Sequence, residues 1–313
     1  MQCKLKERYV MIVVYYAGLF LCGAVTTFSQ KKYSGILRSR TDILIYALTT
    51  GVMSMLFFWI TSGFSIVLNG KTTLYSVIIT GTSFVSYFAQ LLVYRYMGVA
   101  EVSVITMGGK LLLSSVTGIL LFSEKVSLIS VTRIALMLLS VLLLFVQKRK
   151  VGKNTENDKS TRVQSVSVIG WLWCALIVGV GVIGTVTSKY IAIDPKVTNS
   201  DSLFFFANFL IVCLSVLFLL FESRGKLGTC VSQFRAVPGK QYLTVIIKTA
   251  AGVGTSLLGI LILAESDVSL YVPLSNALQF LATQAVAVFI LRERPLILPM
   301  IPATLSILLG FFG

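Results

Sequence analysis

The sequence predicts an all-helical polytopic membrane protein with ten transmembrane helices in two inverted five-helix repeats. Three observations carry this. Of the 313 residues, 56% are apolar and 12% charged, with a mean hydropathy of +0.89; a soluble domain carries about twice that charge. The apolar residues gather in runs of roughly 20, the length of a helix that crosses a bilayer. Residues on either side of a hydrophilic middle segment also recur in the same order.

Each run is bounded by charge or turn residues. Residues 9–28 follow Lys4, Lys6 and Arg8. They look superficially like a signal peptide, but the run is too long and lacks a small-x-small cleavage site, so it is expected to remain as helix 1. Runs 43–67 and 74–94 lie on either side of Lys71, and run 98–122 lies between Arg95 and Lys125. Run 127–146 leads into Gln147 to Ser165, which holds Lys148, Arg149, Lys150, Lys153, Lys159 and Arg162. That stretch has no apolar face to bury and reads as a solvated linker. Beyond it, 166–188 ends at Lys189, 202–221 lies between Lys196 and Arg224, 242–264 follows Lys240, 267–291 stops at Arg292, and 296–312 is the tenth. The expected organisation is a first repeat over 1–146, a basic linker over 147–165 and a second repeat over 166–313.

The repeat reading rests on offsets. A shift of 159 lays Thr26, Ser29 and Asp42 on Thr185, Ser188 and Asp201. A shift of 168 lays Val77, Ile78 and Ile79 on Val245, Ile246 and Ile247, and one of 169 lays Glu124 on Glu293, each acid standing at the exit of a long helix. Because five is odd, the second copy enters the membrane from the opposite side, and the repeats are inverted.

The formal net charge of +15 suggests topology rather than nucleic acid, because the cations sit mainly in short loops. Seventeen Lys and Arg residues fall on the side of the linker, against seven on the other. The positive-inside rule therefore places the linker in the cytoplasm and both termini outside. The protein is expected in a bilayer, specifically a bacterial inner (plasma) membrane.

Two stretches carry a family resemblance. YRYMGVAEVSVITMGGKLLLSSVTGILLFSEKVSLISVTRIALMLLSVLLLF and DVSLYVPLSNALQFLATQAVAVFILRERPLILPMIPATLSILLGFF both resemble the closing half of the repeat of the drug/metabolite transporter superfamily. In that repeat a long helix ends in an acid, here Glu124 and Glu293, before a final helix. The resemblance extends to the ten-helix layout along nearly the whole chain and implies a transporter, although members often carry both termini in the cytoplasm. Thr106 to Ser127 is also similar to the lysine-bearing fourth helix of nucleotide-sugar transporters, and Lys110 matches the lysine that faces the nucleotide there. The second half lacks the KYADN-like signature of that family.

Several polar residues recur on single helix faces. Helix 4 carries Ser103, Thr106, Lys110, Ser114 and Thr117; helix 9 carries Ser269, Asn276, Gln279 and Thr283; helix 3 carries Thr80, Ser83, Tyr87, Gln90 and Tyr94; helix 8 carries Lys248 and Thr255. Polar groups are costly in hydrocarbon unless they face protein or water, so these faces are expected to converge on a midplane cavity. The alternative is that hydroxyls bond back to their own helix and small residues serve packing. Gly108 and Gly109 beside Lys110, and Pro273 near Asn276, either loosen their helices or simply pack and kink them.

Lys110 is the sharpest candidate, since a charged side chain at mid-span costs about 2.5–3.5 kcal/mol. Glu101 and Glu124 lie roughly 14–21 Å away along the same helix, beyond ion-pair reach. An unmatched deep cation suggests that the solute brings the negative charge or that the lysine sheds its proton there; the structural alternative is a lysine paired with carbonyls or with Glu101 on a tilted helix. Lys248 is expected nearer a membrane edge, able to snorkel, with Arg133 doing so at the other face.

The absence of histidine removes imidazole acid–base chemistry and His-Cys zinc sites. Cys22, Cys174 and Cys213 lie in apolar runs, and neither a CxxC spacing nor a disulfide framework is present. No GxxxxGK[ST] loop supports direct ATP use. An intramembrane enzyme would rest on a Ser114–Lys110 pair alone. The expected function is therefore non-enzymatic, with no cofactor and no metal: a secondary transporter moving a small polar organic metabolite that bears a carboxylate or phosphate. Alternatives are efflux of amphiphilic or cationic compounds, nucleotide-sugar transport, or a non-transporting receptor or structural protein. The expected partners are the small-molecule solute and the lipid bilayer, with no nucleic acid.

Overall fold

Helix starts and stops follow local chemistry more closely than they follow hydropathy. A computed structural model describes residues 2–35, 39–122, 128–155, 168–193, 200–223, 232, 238–265, 278–293 and 297–309. Among the described residues its longer helices are α1 (Gln2–Ser34), α2 (Arg40–Thr61), α3 (Gly70–Tyr96), α4 (Val99–Phe122), α5 (Leu128–Thr155), α6 (Val168–Ile193), α7 (Ser200–Glu222), α8 (Gly239–Glu265), α9 (Leu278–Ile290) and α10 (Ile297–Leu309), and residue 232 is also helical. No strand occurs among the described residues. Helices α2 and α3, α6 over Val168–Ser188 and α7 over Asp201–Glu222 are each long and apolar enough to cross a membrane. The chain is a membrane-embedded helical protein.

Helix α2 opens on a reciprocal cap: the Asp42 amide donates to Ser39 Oγ at 3.3 Å and the Ser39 amide donates to Asp42 Oδ2 at 2.9 Å. It closes at Thr61, short of the expected 67, because Gly63 (φ 64°) and Phe64 (φ 63°) turn left-handed. Apolar composition persists through that turn, so hydropathy misses it; the glycine makes it accessible. In the other direction, α1 continues past 28 to Ser34 and α5 past 146 to Thr155. Lysine and arginine are good helix formers, so a cluster of cations ends burial without ending the helix. The first part of the expected linker is thus helical. Residues 156–165 lie outside the described residues, as do Glu124, Ser269, Pro273, Asn276 and the start of the expected ninth span.

The described chain forms two compact units, one of Met1–Phe28, Tyr96–Val178 and Gly254–Gly313, the other of Ser29–Arg95 and Gly179–Val253. Each draws helices from both sequence halves.

In the first unit, α5 packs against α10, and α4 against α5, α10 and α9. Ser140 Oγ on α5 donates to the Pro299 carbonyl at 2.6 Å, close to Pro302, which removes a rung from α10. Small residues set the close approaches. A Cβ on Gly18 would lie 2.8 Å from Leu258 Cδ1, and one on Gly109 2.7 Å from Val178 Cγ2. Gly109 is therefore a packing glycine between α4 and α6. Helix α9 ends in a π-helical turn over Val286–Ile290, followed by Arg292 at φ 53°.

In the second unit, α2 packs against α7, where Gly51 faces Ile211, Val212 and the Asn208 carbonyl. Two hydroxyls on α3 each share a proton between their own helix and α7: Ser76 Oγ between the Thr72 carbonyl at 2.8 Å and the Leu203 carbonyl at 3.0 Å, and Thr80 Oγ1 between the Ser76 carbonyl at 2.7 Å and the Ala207 carbonyl at 3.0 Å. Aromatic contacts fill the same seam, Phe58 against Phe204 at 5.2 Å and Phe84 against Phe218 at 5.7 Å between centroids. A second cluster of Tyr33, Ile43, Tyr46, Leu91 and Val245 joins the ends of α1, α2, α3 and α8.

Candidate functional site

Inside the second unit, that cluster surrounds a cation. Lys248 lies nine residues into α8, roughly 13 Å from the helix start at 1.5 Å per residue, and is only 6% exposed. The sequence expectation has it reaching for a membrane edge; instead its ammonium sits over two rings, 4.7 Å from the centroid of Tyr87 and 5.2 Å from that of Tyr46. The aromatic faces hold it by attraction to their negative quadrupoles. A desolvated cation–π contact is worth about 2 kcal/mol, so two offset part of the cost of burying an amine in this unit. Among the described residues, Lys248 makes no hydrogen bond and no ion pair.

The rings are themselves held in place. Tyr46 packs against Tyr33 at 4.8 Å and edge-on to Tyr87 at 6.0 Å. The Tyr33 hydroxyl donates to the Asp42 carbonyl at 2.8 Å; burial first, and the nearby Asp42 charge second, push its pKa up and keep it a donor. Gln30 Nε2 donates to Gln90 Oε1 at 2.7 Å, and Gln90 Nε2 to Ser86 Oγ at 2.9 Å. The Tyr46 hydroxyl, buried beside Gln30, finds no acceptor for its proton among the described residues. One turn further along α2, the Thr50 hydroxyl is buried in the same unsatisfied condition. Buried donors without acceptors are rare and costly, and here two stand on one helix face near an unpaired cation.

Three residues singled out by the sequence, Tyr87, Gln90 and Lys248, meet in this cluster. Sequence reasoning misses Tyr46, Tyr33 and Gln30. Tyr46 is the lone aromatic hydroxyl in an otherwise apolar stretch of α2, and Gln30 lies beyond the apolar run of helix 1 on its helical continuation. The periodicity of hydroxyls finds neither.

The remaining candidates belong to the first unit. Ser103 Oγ donates to the Ala100 carbonyl at 2.9 Å and Thr106 Oγ1 to the Val102 carbonyl at 2.7 Å, so both satisfy themselves within α4. Lys110 is half-buried and has no hydrogen-bond or ion-pair partner among the described residues. Thr283 Oγ1 meets Thr27 Oγ1 at 3.1 Å, which ties α9 to α1, and Gln279 stands beside Gly23 on the same seam. Thr255 is half-buried on α8. The Ser114 side chain, like Asn276, lies outside the described residues.

One acid noted in the sequence has a defined role. Glu293 accepts from the Val99 amide at 2.9 Å and the Ala100 amide at 3.0 Å, capping α4 from another element. Gly98 admits it, since a Cβ there would lie 3.0 Å from Glu293 Oε2. Gln284 donates to Ser103 Oγ and to the Ala100 carbonyl.

No protein-family model matches this chain, and no curated protein matches it.

Proposed function

We propose that this protein is a secondary transporter of the ten-helix, inverted-repeat kind, moving a small polar organic metabolite with a carboxylate or phosphate across the membrane by alternating access. The observation that carries the reading is Lys248: a buried lysine whose amine lies over two tyrosine rings inside a membrane-embedded helical unit, with no ion-pair partner among the described residues. Lys110, in the other unit, repeats the condition in milder form. In a carrier of anions the solute would supply the missing partner at the moment of binding.

The grouping of helices supports the carrier architecture. Under a five-plus-five pairing the mates are α1 with α6, α2 with α7, α3 with α8, α4 with α9 and α5 with α10. The contacts α2 on α7, α5 on α10 and α4 on α9 are all between mates. Two units, each assembled from parts of both repeats, suit a rocking mechanism. The test is reconstitution of the purified chain in proteoliposomes with a panel of organic anions. Saturable, protein-dependent counterflow of an anion is expected. Counterflow of cations alone, or none of any solute, sinks the reading.

A further inference from the structure

We propose that Lys248 and Tyr46 form the anchor for a carboxylate group, so that the solute is an organic acid held through its carboxylate rather than through a phosphate. This rests on the transport reading and narrows its substrate class.

The donors come first. The Lys248 ammonium commits none of its three N–H bonds to a described residue, and the Tyr46 hydroxyl, fully buried, has no acceptor among them. Both are donors to oxygen, and one is charged. A ligand that completes them must present acceptors and a negative charge.

The choice between carboxylate and phosphate follows from what surrounds the donors. Phosphate sites draw on arginine and on free backbone amides at helix N-termini. Here Tyr46, Tyr87 and Lys248 stand inside α2, α3 and α8, where the backbone amides are occupied by the helix, and no described arginine is buried. Two of the ammonium's sides are closed by rings at 4.7 and 5.2 Å. The remaining sector suits a flat group with two oxygens and one charge better than a tetrahedral group carrying nearly two charges.

The repeat itself marks the position. The offset of 168 that lays Val77, Ile78 and Ile79 on Val245, Ile246 and Ile247 lays Thr80 on Lys248. Thr80 is structural, sharing its hydroxyl proton between the Ser76 carbonyl on its own helix and the Ala207 carbonyl on α7. Where one copy uses a threonine to fasten two helices, the other places a lysine that fastens nothing. The difference between copies is the lysine's function.

The experiment uses the purified full-length chain in detergent and in proteoliposomes. Thermal unfolding midpoints are titrated with lactate, benzoate and glutamate, and with inorganic phosphate and glycerol 3-phosphate. Uptake of the same five compounds is measured. At least one carboxylate is expected to raise the midpoint saturably, and neither phosphate compound is. Lys248→Thr, which installs the residue of the other repeat, should remain folded and weaken that carboxylate at least tenfold. Lys248→Arg should restore part of the loss, and Tyr46→Phe should cost a fewfold. Stabilisation by a phosphate compound instead, by no carboxylate at all, or by a carboxylate whose affinity is unchanged in folded Lys248→Thr overturns the anchor. Should Lys248→Thr fail to fold, Tyr46→Phe with unchanged carboxylate affinity overturns it equally. Uptake that ignores both substitutions leaves transport standing and removes the anchor. Saturable, Lys248-dependent binding with no uptake of any of the five keeps the anchor and removes transport.

Discussion

At the scale of single residues, the informative signals are charges and hydroxyls left without partners. Lys248 is visible in the sequence as a cation within an apolar run, but its depth is not, because linear distance from a helix end says nothing of which face is covered. Its cage is half legible: Tyr87 and Gln90 stand on a polar stripe, whereas Tyr46 is made important only by the helix that packs against it. Conversely, Ser103 and Thr106 have the spacing of site residues and are satisfied by their own helix, the usual fate of a hydroxyl in an apolar span. Lys110 is tested separately. Lys110→Gln should leave the unfolding midpoint unchanged and weaken binding of the transported anion by about 1.5–3 kcal/mol, the worth of a charge-assisted hydrogen bond; equal affinity assigns Lys110 to packing. Gly109 carries a different expectation. A methyl group added there would meet Val178 Cγ2 at 2.7 Å, and a β-branched neighbour is stiff and cannot yield, so Gly109→Ala should lower stability by about 1–3 kcal/mol. Thermal unfolding of the variant, with no change in the solutes bound, checks this.

Helix existence is legible at the scale of elements, while the helix ends are not. Hydropathy carries the second span to residue 67 because Phe64, Ile66 and Val67 are apolar, yet the backbone turns at Gly63. Nothing lies within 4 Å of a Cβ at that position, so the cost of substitution is conformational alone. Gly63→Ala should lower stability by about 1 kcal/mol, measured as a shift in the denaturation midpoint; no shift would mean that the left-handed turn relaxes. The acid at the exit of α9 stands out in the sequence as a pattern without a mechanism. Its mechanism is a cap supplied from outside the capped helix, which no local motif search detects. Glu293→Gln keeps one acceptor oxygen and turns an amide towards the other N–H, so a loss of about 1 kcal/mol is expected. Faster hydrogen exchange of the Val99 and Ala100 amides would locate that loss at α4.

For the molecule as a whole, composition sets the membrane environment, and four spans meet it by length and apolarity. The interleaving of the halves into two units is not legible, since sequence offsets carry no information on which segments touch. Topology is an expectation from the cations: a cysteine at Ser160, in a background without the native cysteines, should resist an impermeant thiol reagent in intact cells. Ready labelling would reverse the orientation.

The π-helical turn of α9 bears on angular phase. On an unbroken α-helix, residues nine apart face about 180° from one another. Gln284 and Glu293 are nine apart, yet both grip the first turn of α4. The wider turn over Val286–Ile290 and the left-handed Arg292 supply the missing rotation. The segment thus works as a phase shifter, one residue longer than its rise requires. Its length therefore matters more than its composition: deleting Val288 alone should retain the hold of Gln284 and swing Glu293 away from the α4 amides, an outcome that no substitution among those five apolar residues reproduces.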